Sequence, residues 1–216
     1  MKITATGKDM TLLSYPSKMP GASCSISTDS CVASALSIRQ AQAQGSDPIC
    51  LSCYAEKGFY RFHEALNDER YEWAKRAVKD KTFFGAMTAA IEKAVKPSLP
   101  YFRIHDGGDF FSVAHVREWM RVCWALPHIH FWAPTRTHLL LRFLPALQEL
   151  ASLPNVTVRP SANGFEEPPP VVPGLHAGSS AAKHGYNCLA HLHGNNCGDC
   201  RICWDEKTVP VIYRRH

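Results

Sequence analysis

Between Tyr101 and Val158 the chain alternates β-rich runs with amphipathic helical stretches, and no other feature restricts its fold as much. Tyr101-Phe102-Arg103-Ile104-His105 reads as a strand, and a helix over Val113 to Leu126 keeps Val113, Val116, Met120 and Cys123 on one face. His130-Phe131-Trp132-Ala133 is the next strand, Leu139 to Leu150 the next helix, and Val156-Thr157-Val158 a third strand opened by Pro154-Asn155. Strands separated by helices at this spacing run parallel, with right-handed crossovers. The expected fold class is α/β.

The flanks are read around this centre. Met10 to Tyr15 is a candidate short strand, Pro16 to Ser30 is loop-like with a turn at Pro20-Gly21, and the Ala-rich Cys31 to Gln44 is helical, ending near Gly45. From Phe59 to Lys96 apolar residues keep a helical period until Pro97 and Pro100 stop it. Glu166 to Ala182, with Pro168-Pro169-Pro170, reads as a long loop, and Val209 to Tyr213 as a closing strand. A single domain over 1–216 is expected: a cysteine-rich segment 1–58, a β/α core 59–163, and a long loop with a C-terminal tail over 164–216.

Composition narrows the chemistry. Twenty-four Lys and Arg against 19 Asp and Glu leave a net charge of +5, too weak to argue for nucleic acid alone. Nine cysteines cannot all pair within one chain. Met1-Lys2-Ile3-Thr4 leads into a polar stretch without the apolar core of a secretory leader, and no run approaches the ~18 apolar residues of a membrane span. A reducing cytoplasmic location is therefore expected, with no membrane partner. There, clustered cysteines read as metal ligands or catalytic groups rather than disulfides.

Cys197, Cys200 and Cys203 form an unbroken C-x2-C-x2-C run preceded by Cys188. Three thiolates at this pitch can wrap one corner of a cuboidal iron–sulfur cluster, with the fourth ligand supplied from farther away. Structural zinc is the alternative, although its four thiolates usually come as two well-separated C-x2-C pairs. The second group is Cys24, Cys31, Cys50 and Cys53. Four ligands would close that site, whereas three would leave one iron open to a ligand. The spacing does not decide which cysteine would be left out, and the structural alternative for Cys31, at the start of its helix, is a core thiol. Cys123 reads as a buried core thiol.

Three successive strand ends carry polar groups where ligands bind in parallel sheets. The first holds His105, Asp106, Gly107, Gly108 and Asp109, the second Thr135 and Arg136, and the third Arg159, Ser161 and Asn163. The Gly-Gly pair permits a sharp turn and close approach to a ligand, and Asp109 can receive an ammonium or amide N–H. Arg136 or Arg159 can clamp a carboxylate or phosphate. The structural alternatives are an Asx-turn for Asp109, with Ser112 as the N-cap of the following helix, a satisfied strand histidine for His105, and rim salt bridges for the arginines.

Cys50-Leu51-Ser52-Cys53-Tyr54-Ala55, the stretch Phe102 to Ser112, and Asn196-Cys197-Gly198-Asp199-Cys200 through Cys203-Trp204 together resemble a small phage-associated family of radical-SAM-like proteins, whose members are often labelled only as phage gene products. The resemblance runs from about Pro20 to His216. It implies a partial (β/α) barrel of parallel strands, radical-SAM-like, with cysteine-rich N- and C-terminal segments. It further implies a [4Fe–4S] cluster on three cysteines whose open iron chelates S-adenosylmethionine, and reductive cleavage of that cofactor to a 5′-deoxyadenosyl radical.

By the same resemblance Cys50 and Cys53 match the closing pair of the cluster motif, with Tyr54 just beyond it. Gly107-Gly108-Asp109 matches the Gly-Gly-Glu element that receives the methionine ammonium, and Cys188, Cys197, Cys200 and Cys203 match the ligands of an additional cluster. The chain departs from the pattern in three ways. It has no contiguous C-x3-C-x2-C, so the third ligand would be Cys24 or Cys31; Asp109 is one methylene shorter than Glu; and the length suits only part of a barrel.

The expected function is a radical-SAM-like iron–sulfur enzyme acting on an unknown substrate, fed by a reducing electron donor, with one or two [4Fe–4S] clusters and S-adenosylmethionine as cofactors. Two alternatives stand beside it. One is a non-catalytic or nucleic-acid-associated iron–sulfur protein, motivated by Arg70, Lys75, Arg76, Lys79, Arg214 and Arg215. The other is a zinc-stapled hydrolase or structural protein.

Overall fold

A computed structural model describes residues 11–215. Four strands, β1 (Ala22–Ser25), β2 (Tyr101–Gly107), β3 (His130–Thr135) and β4 (Val156–Pro160), form one parallel sheet in chain order. The helices α1 (Ser34–Ala43), α2 (Phe59–Phe62), α3 (Glu64–Lys79) and α4 (Phe83–Ala94) lie between β1 and β2. Next come α5 (Val113–Ala125) between β2 and β3, and α6 (Leu144–Ala151) between β3 and β4. A second, two-stranded parallel sheet joins β5 (Ser179–Ala182) to β6 (Val211–Arg214), with the short α7 (Ile202–Asp205) between them.

Alternation along the strands sorts the sheet into two faces. Phe102, Ile104, Phe131, Ala133, Val156 and Val158 enter the main core with Met87 and Ile91 of α4, Val116, Trp119 and Val122 of α5, and Leu147 and Leu150 of α6. Cys123 is buried in this core. Residues of opposite parity, Trp132, Thr157 and Arg159, meet the C-terminal tail instead. Trp132 packs with Cys203, Trp204 and Val211, Thr157 donates to the Trp204 carbonyl, and the Trp204 indole donates to the Phe102 carbonyl at 3.0 Å. The chain's own tail thus covers the sheet face that the helices leave.

Several expected elements change. Pro16 to Ser30 is not all loop, because it contains β1. Ala22-Ser23-Cys24-Ser25 has no apolar alternation and becomes a strand by pairing with β2. Gly21 permits the approach, since a Cβ there would meet the Tyr101 carbonyl oxygen at 2.0 Å. The strand expected over Met10 to Tyr15 lies partly outside the described residues, and Met1-Lys2-Ile3-Thr4 lies wholly outside them. The described part of that strand forms one antiparallel bridge, Ser14 to Ser23. The helix expected from Leu139 begins only at Leu144, after two 3-10 turns, because Pro145 lacks the N–H that an interior helical position needs. The loop expected over Glu166 to Ala182 ends in β5, which pairs with the distant β6.

Candidate metal and cofactor site at the strand ends

The C-terminal end of the sheet is built around Gly107-Gly108-Asp109. Gly108 has φ +79, and a Cβ on it would lie 2.5 Å from Ile26 Cγ1 and 2.6 Å from Ser30 Oγ. The glycines therefore let the loop after β1 close onto the end of β2. The Asp109 N–H donates to Ser30 Oγ at 3.0 Å, which pins the residue before Cys31. The Asp109 carboxylate accepts from Phe110 N (2.7 Å), Thr135 Oγ1 (2.8 Å) and Arg136 N (2.8 Å). Burial raises its pKa, and the Arg136 N–H leads the groups that pull it down. The expected ammonium receiver thus spends three of its roughly four acceptor positions, one on its own loop and two holding β2 to β3.

The Cys50–Cys53 turn is fastened to the end of β4. The Ile49 N–H donates to the Asn163 carbonyl and the Phe165 N–H to the Asp47 carbonyl, both at 2.9 Å. Asn163 Oδ1 accepts from Ser37 Oγ at 2.9 Å, its amide donates to Gln40 Oε1 at 3.0 Å, and the Cys50 thiol donates to Ser37 Oγ at 3.7 Å. Asn163 therefore positions the turn from behind. Cys31, Cys50 and Cys53 lie within electrostatic range of one another. Burial raises the Cys31 pKa, and Asp109, Cys53 and Cys50 add to it while Arg136 opposes. Burial likewise raises that of Cys53.

Cys24 stands elsewhere. It lies on β1 in the main core, its Sγ accepts the His105 N–H at 3.3 Å, and burial pushes its pKa up to about 12. Of the two candidates for a third ligand, Cys31 is the one placed with the pair. Among the described residues, no three Cys, His, Asp or Glu side chains stand at ligating distance from a common point.

His105 is withdrawn from the mouth as well. Its backbone has φ +59, and its ring lines a small internal cavity with Cys24, Arg70, His115 and Trp119. Burial, and secondarily Arg103, lowers its pKa to about 3, so the imidazole is neutral. Tyr54 leans on β2 by its hydroxyl, which donates to the Asp106 carbonyl and accepts from Arg103 Nη2 at 2.8 Å. Tyr60 meets Tyr54 edge-on at 5.5 Å and donates to the Asp106 carboxylate at 3.2 Å. Arg136 spends its Nε on the Ala162 carbonyl at 3.0 Å.

Two expected strand-end residues, the clamp candidate Arg159 and Ser161, do something else. Arg159 is fully buried and donates to the carbonyls of Ala177, Ile202, Cys203, Glu206 and Val209, holding the tail on the sheet. Ser161 meets Ser179 Oγ at 3.3 Å where β4 hands over to β5. Ser30, Ser37 and Arg103 carry the local architecture without having stood out in the sequence. Ser30 alone had a local signal, its place beside Cys31.

The tail groups the other four cysteines. Cys197 feels Cys188 and Cys200, and Cys203 feels Cys188 and Cys197. The Cys200 N–H closes the turn on the Cys197 carbonyl at 3.0 Å, and the Cys197 N–H anchors it to the Lys18 carbonyl at 2.9 Å. Burial raises the Cys203 pKa to about 12, while the Tyr213 hydroxyl and Arg159 pull it down.

The cations that suggested a nucleic-acid surface are partly used up internally. Arg70 is buried and donates to the Thr11 and Leu13 carbonyls, Lys75 pairs with Glu72 at 2.7 Å, and Arg215 pairs with Asp47 and stacks on Phe165. Among the described residues no helix is long and apolar enough to cross a membrane.

Comparison with known proteins adds the family. The Gene 88 protein of Mycobacterium phage D29 is 42% identical over 62 residues, which cover 29% of this chain and 25% of that protein. The chain thus matches about a quarter of that relative's length. No solved structure matches. The model of the family described as Gene product 88 matches residues 2–182, which takes in the strand-end site and stops short of the C-terminal cysteines. The chain belongs to the Gene product 88 family of phage proteins.

Proposed function

We propose that this chain is a radical-SAM-like iron–sulfur enzyme in which Cys31, Cys50 and Cys53 hold a [4Fe–4S] cluster at the strand ends and leave one iron open to S-adenosylmethionine. The observation that carries the reading is the company of Cys31. It follows β1, it is tied through Ser30 to Gly107-Gly108-Asp109 after β2, and it stands in range of Cys50 and Cys53. Four parallel strands in chain order, with helices on one face, suit a segment of a (β/α) barrel wall. The donor set fits the cluster chemically, since Cys31, Cys50 and Cys53 offer three soft thiolate donors.

When bound, the cluster and S-adenosylmethionine would supply one-electron reductive chemistry, and the chain supplies placement. Arg136, with its Nε on the Ala162 carbonyl and no hydrogen bond on its Nη groups among the described residues, suits the methionine carboxylate. The lone pair left on Asp109 suits the ammonium. Tyr54 and the Gly107-Gly108 turn wall the site on the β2 side. The substrate remains to be identified by its chemistry.

The test is anaerobic reconstitution of the full chain, iron and sulfide counting, and measurement of 5′-deoxyadenosine after reduction with S-adenosylmethionine present. Product is expected from the parent and from Cys24→Ala, and none from Cys31→Ala. An iron-loaded parent that forms no product would remove the reading, as would a Cys31→Ala variant as active as the parent.

A further inference from the structure

The tail covering the sheet carries an unbalanced charge. Arg159 sits fully buried on β4 with its guanidinium on five backbone carbonyls, and among the described residues no carboxylate pairs with it. Carbonyl dipoles solvate a cation but do not cancel its charge, and an uncompensated buried ion is strongly unfavourable. The ionisable groups that favour its charge are, in order, Cys203, Tyr213 and Glu206. Cys203 is one of four thiols gathered in the tail. Two more cations, Lys18 and Arg201, act on Cys197, and Arg201 also donates to the Gly198 and Cys200 carbonyls at 2.6 and 2.8 Å. The Tyr213 hydroxyl and Cys203 Sγ share a hydrogen bond at 3.6 Å. Burial keeps the free thiols of Cys197 and Cys203 protonated, while these cations would offset the negative charge of metal-bound thiolates.

We propose that Cys188, Cys197, Cys200 and Cys203 bind one soft metal centre as four thiolates, that Arg159 supplies part of its counter-charge, and that the centre locks the tail over the sheet. Binding releases the four thiol protons to solvent and leaves a divalent ion in a dianionic tetrathiolate, and a cubane cluster held by four cysteines is likewise anionic. Among the described residues no three of these side chains stand at ligating distance from a common point, so the proposal requires the ion to draw them together. The Cys197–Cys200 turn, with the Cys200 N–H closing on the Cys197 carbonyl, already presents two donors from one knuckle. The mechanical consequence follows from the same residues. Arg159 grips the carbonyls of Ile202, Cys203 and Glu206, so the segment that ligates the metal is the segment that plugs the sheet. The site lies beyond the residues matched by the family model and stands without the proposal made for the strand ends.

The full chain, purified without oxygen, is analysed for zinc, iron and sulfide, and its native thiols are titrated. It is then stripped and refilled with cobalt(II) as the probe. The intense visible absorption of a tetrahedral cobalt tetrathiolate is expected in the parent and in the Cys31→Ser/Cys50→Ser/Cys53→Ser variant. That signal should be lost or weakened in Cys200→Ser, whose exposed position spares the fold. Arg159→Met should retain the metal less well. Trypsin cleavage after Lys207 and Arg214 should be at least about tenfold faster without metal, as cleavage follows the open population. Colourless protein containing zinc, and brown protein containing iron and sulfide, both support the tetrathiolate and tell its two forms apart. No cobalt signal in either the parent or the triple variant would overturn the proposal, as would tail cleavage that is indifferent to metal.

Discussion

Gly108 sits at φ +79 with Ile26 and Ser30 where a side chain would go. Gly108→Ala is therefore expected to cost about 1 kcal/mol for the backbone and roughly 1–3 kcal/mol for the clash. Urea unfolding would read the total, and under the proposed cluster assignment iron retained by the reconstituted chain should fall with it, because the displaced loop carries Cys31. The Gly-Gly-Asp run is visible in the sequence as a site element. What the sequence leaves open is whom it serves: Gly108 makes room for the Cys31 loop, and Asp109 binds its own backbone and Thr135. Arg159 shows the same ambiguity, since an arginine at a strand end looks alike whether solvent, a ligand or the chain's own tail lies beyond it.

Helix α5 is the element where local signals and structure agree most closely. Ser112 caps it, its Oγ accepting the His115 N–H at 3.1 Å, and Val116, Trp119 and Val122 line its buried face. Ser112→Ala should cost about 1 kcal/mol by loss of that cap, seen as a lower thermal midpoint with unchanged helix content. Strands β2, β3 and β4 were legible for a related reason: their apolar runs are long enough to signal burial unaided. The four residues of β1 are small and lack that signal. Their strand conformation comes from the neighbour they pair with, as does that of β5, which depends on β6 from nearly thirty residues downstream. Pro145 was in plain sight, and its chemistry places the start of α6 better than the leucine period does.

Across the whole molecule, acid sensitivity follows from histidines buried in the neutral form. Burial lowers His105 to about 3 and His138 and His176 to about 4, and holds His115 well below the usual value. Unfolded, each titrates near about 6.5, so below that pH the unfolded chain binds more protons. Stability should be level above about pH 6.5 and fall as the pH drops toward about 4, where the folded His138 and His176 begin to protonate. The carboxyls of Asp106 and Asp109, raised by burial, work the opposite way and soften the fall. Thermal midpoints between about pH 7.5 and 5 check the sign, and a midpoint that rises on acidification would contradict it.

By itself the sequence determined the parallel α/β centre, the close-set cysteine runs at Cys50–Cys53 and Cys197–Cys203, and the polar strand ends, because periodicity, spacing and turn chemistry are properties of neighbouring residues. Only the tertiary structure decided that Cys31 rather than Cys24 joins Cys50 and Cys53, that Arg159 faces the tail, and that the tail fills the second face of the sheet. Each of those outcomes depends on which of two strand faces a side chain occupies, and on what distant segment arrives to cover it. Spacing along the chain does not encode either one.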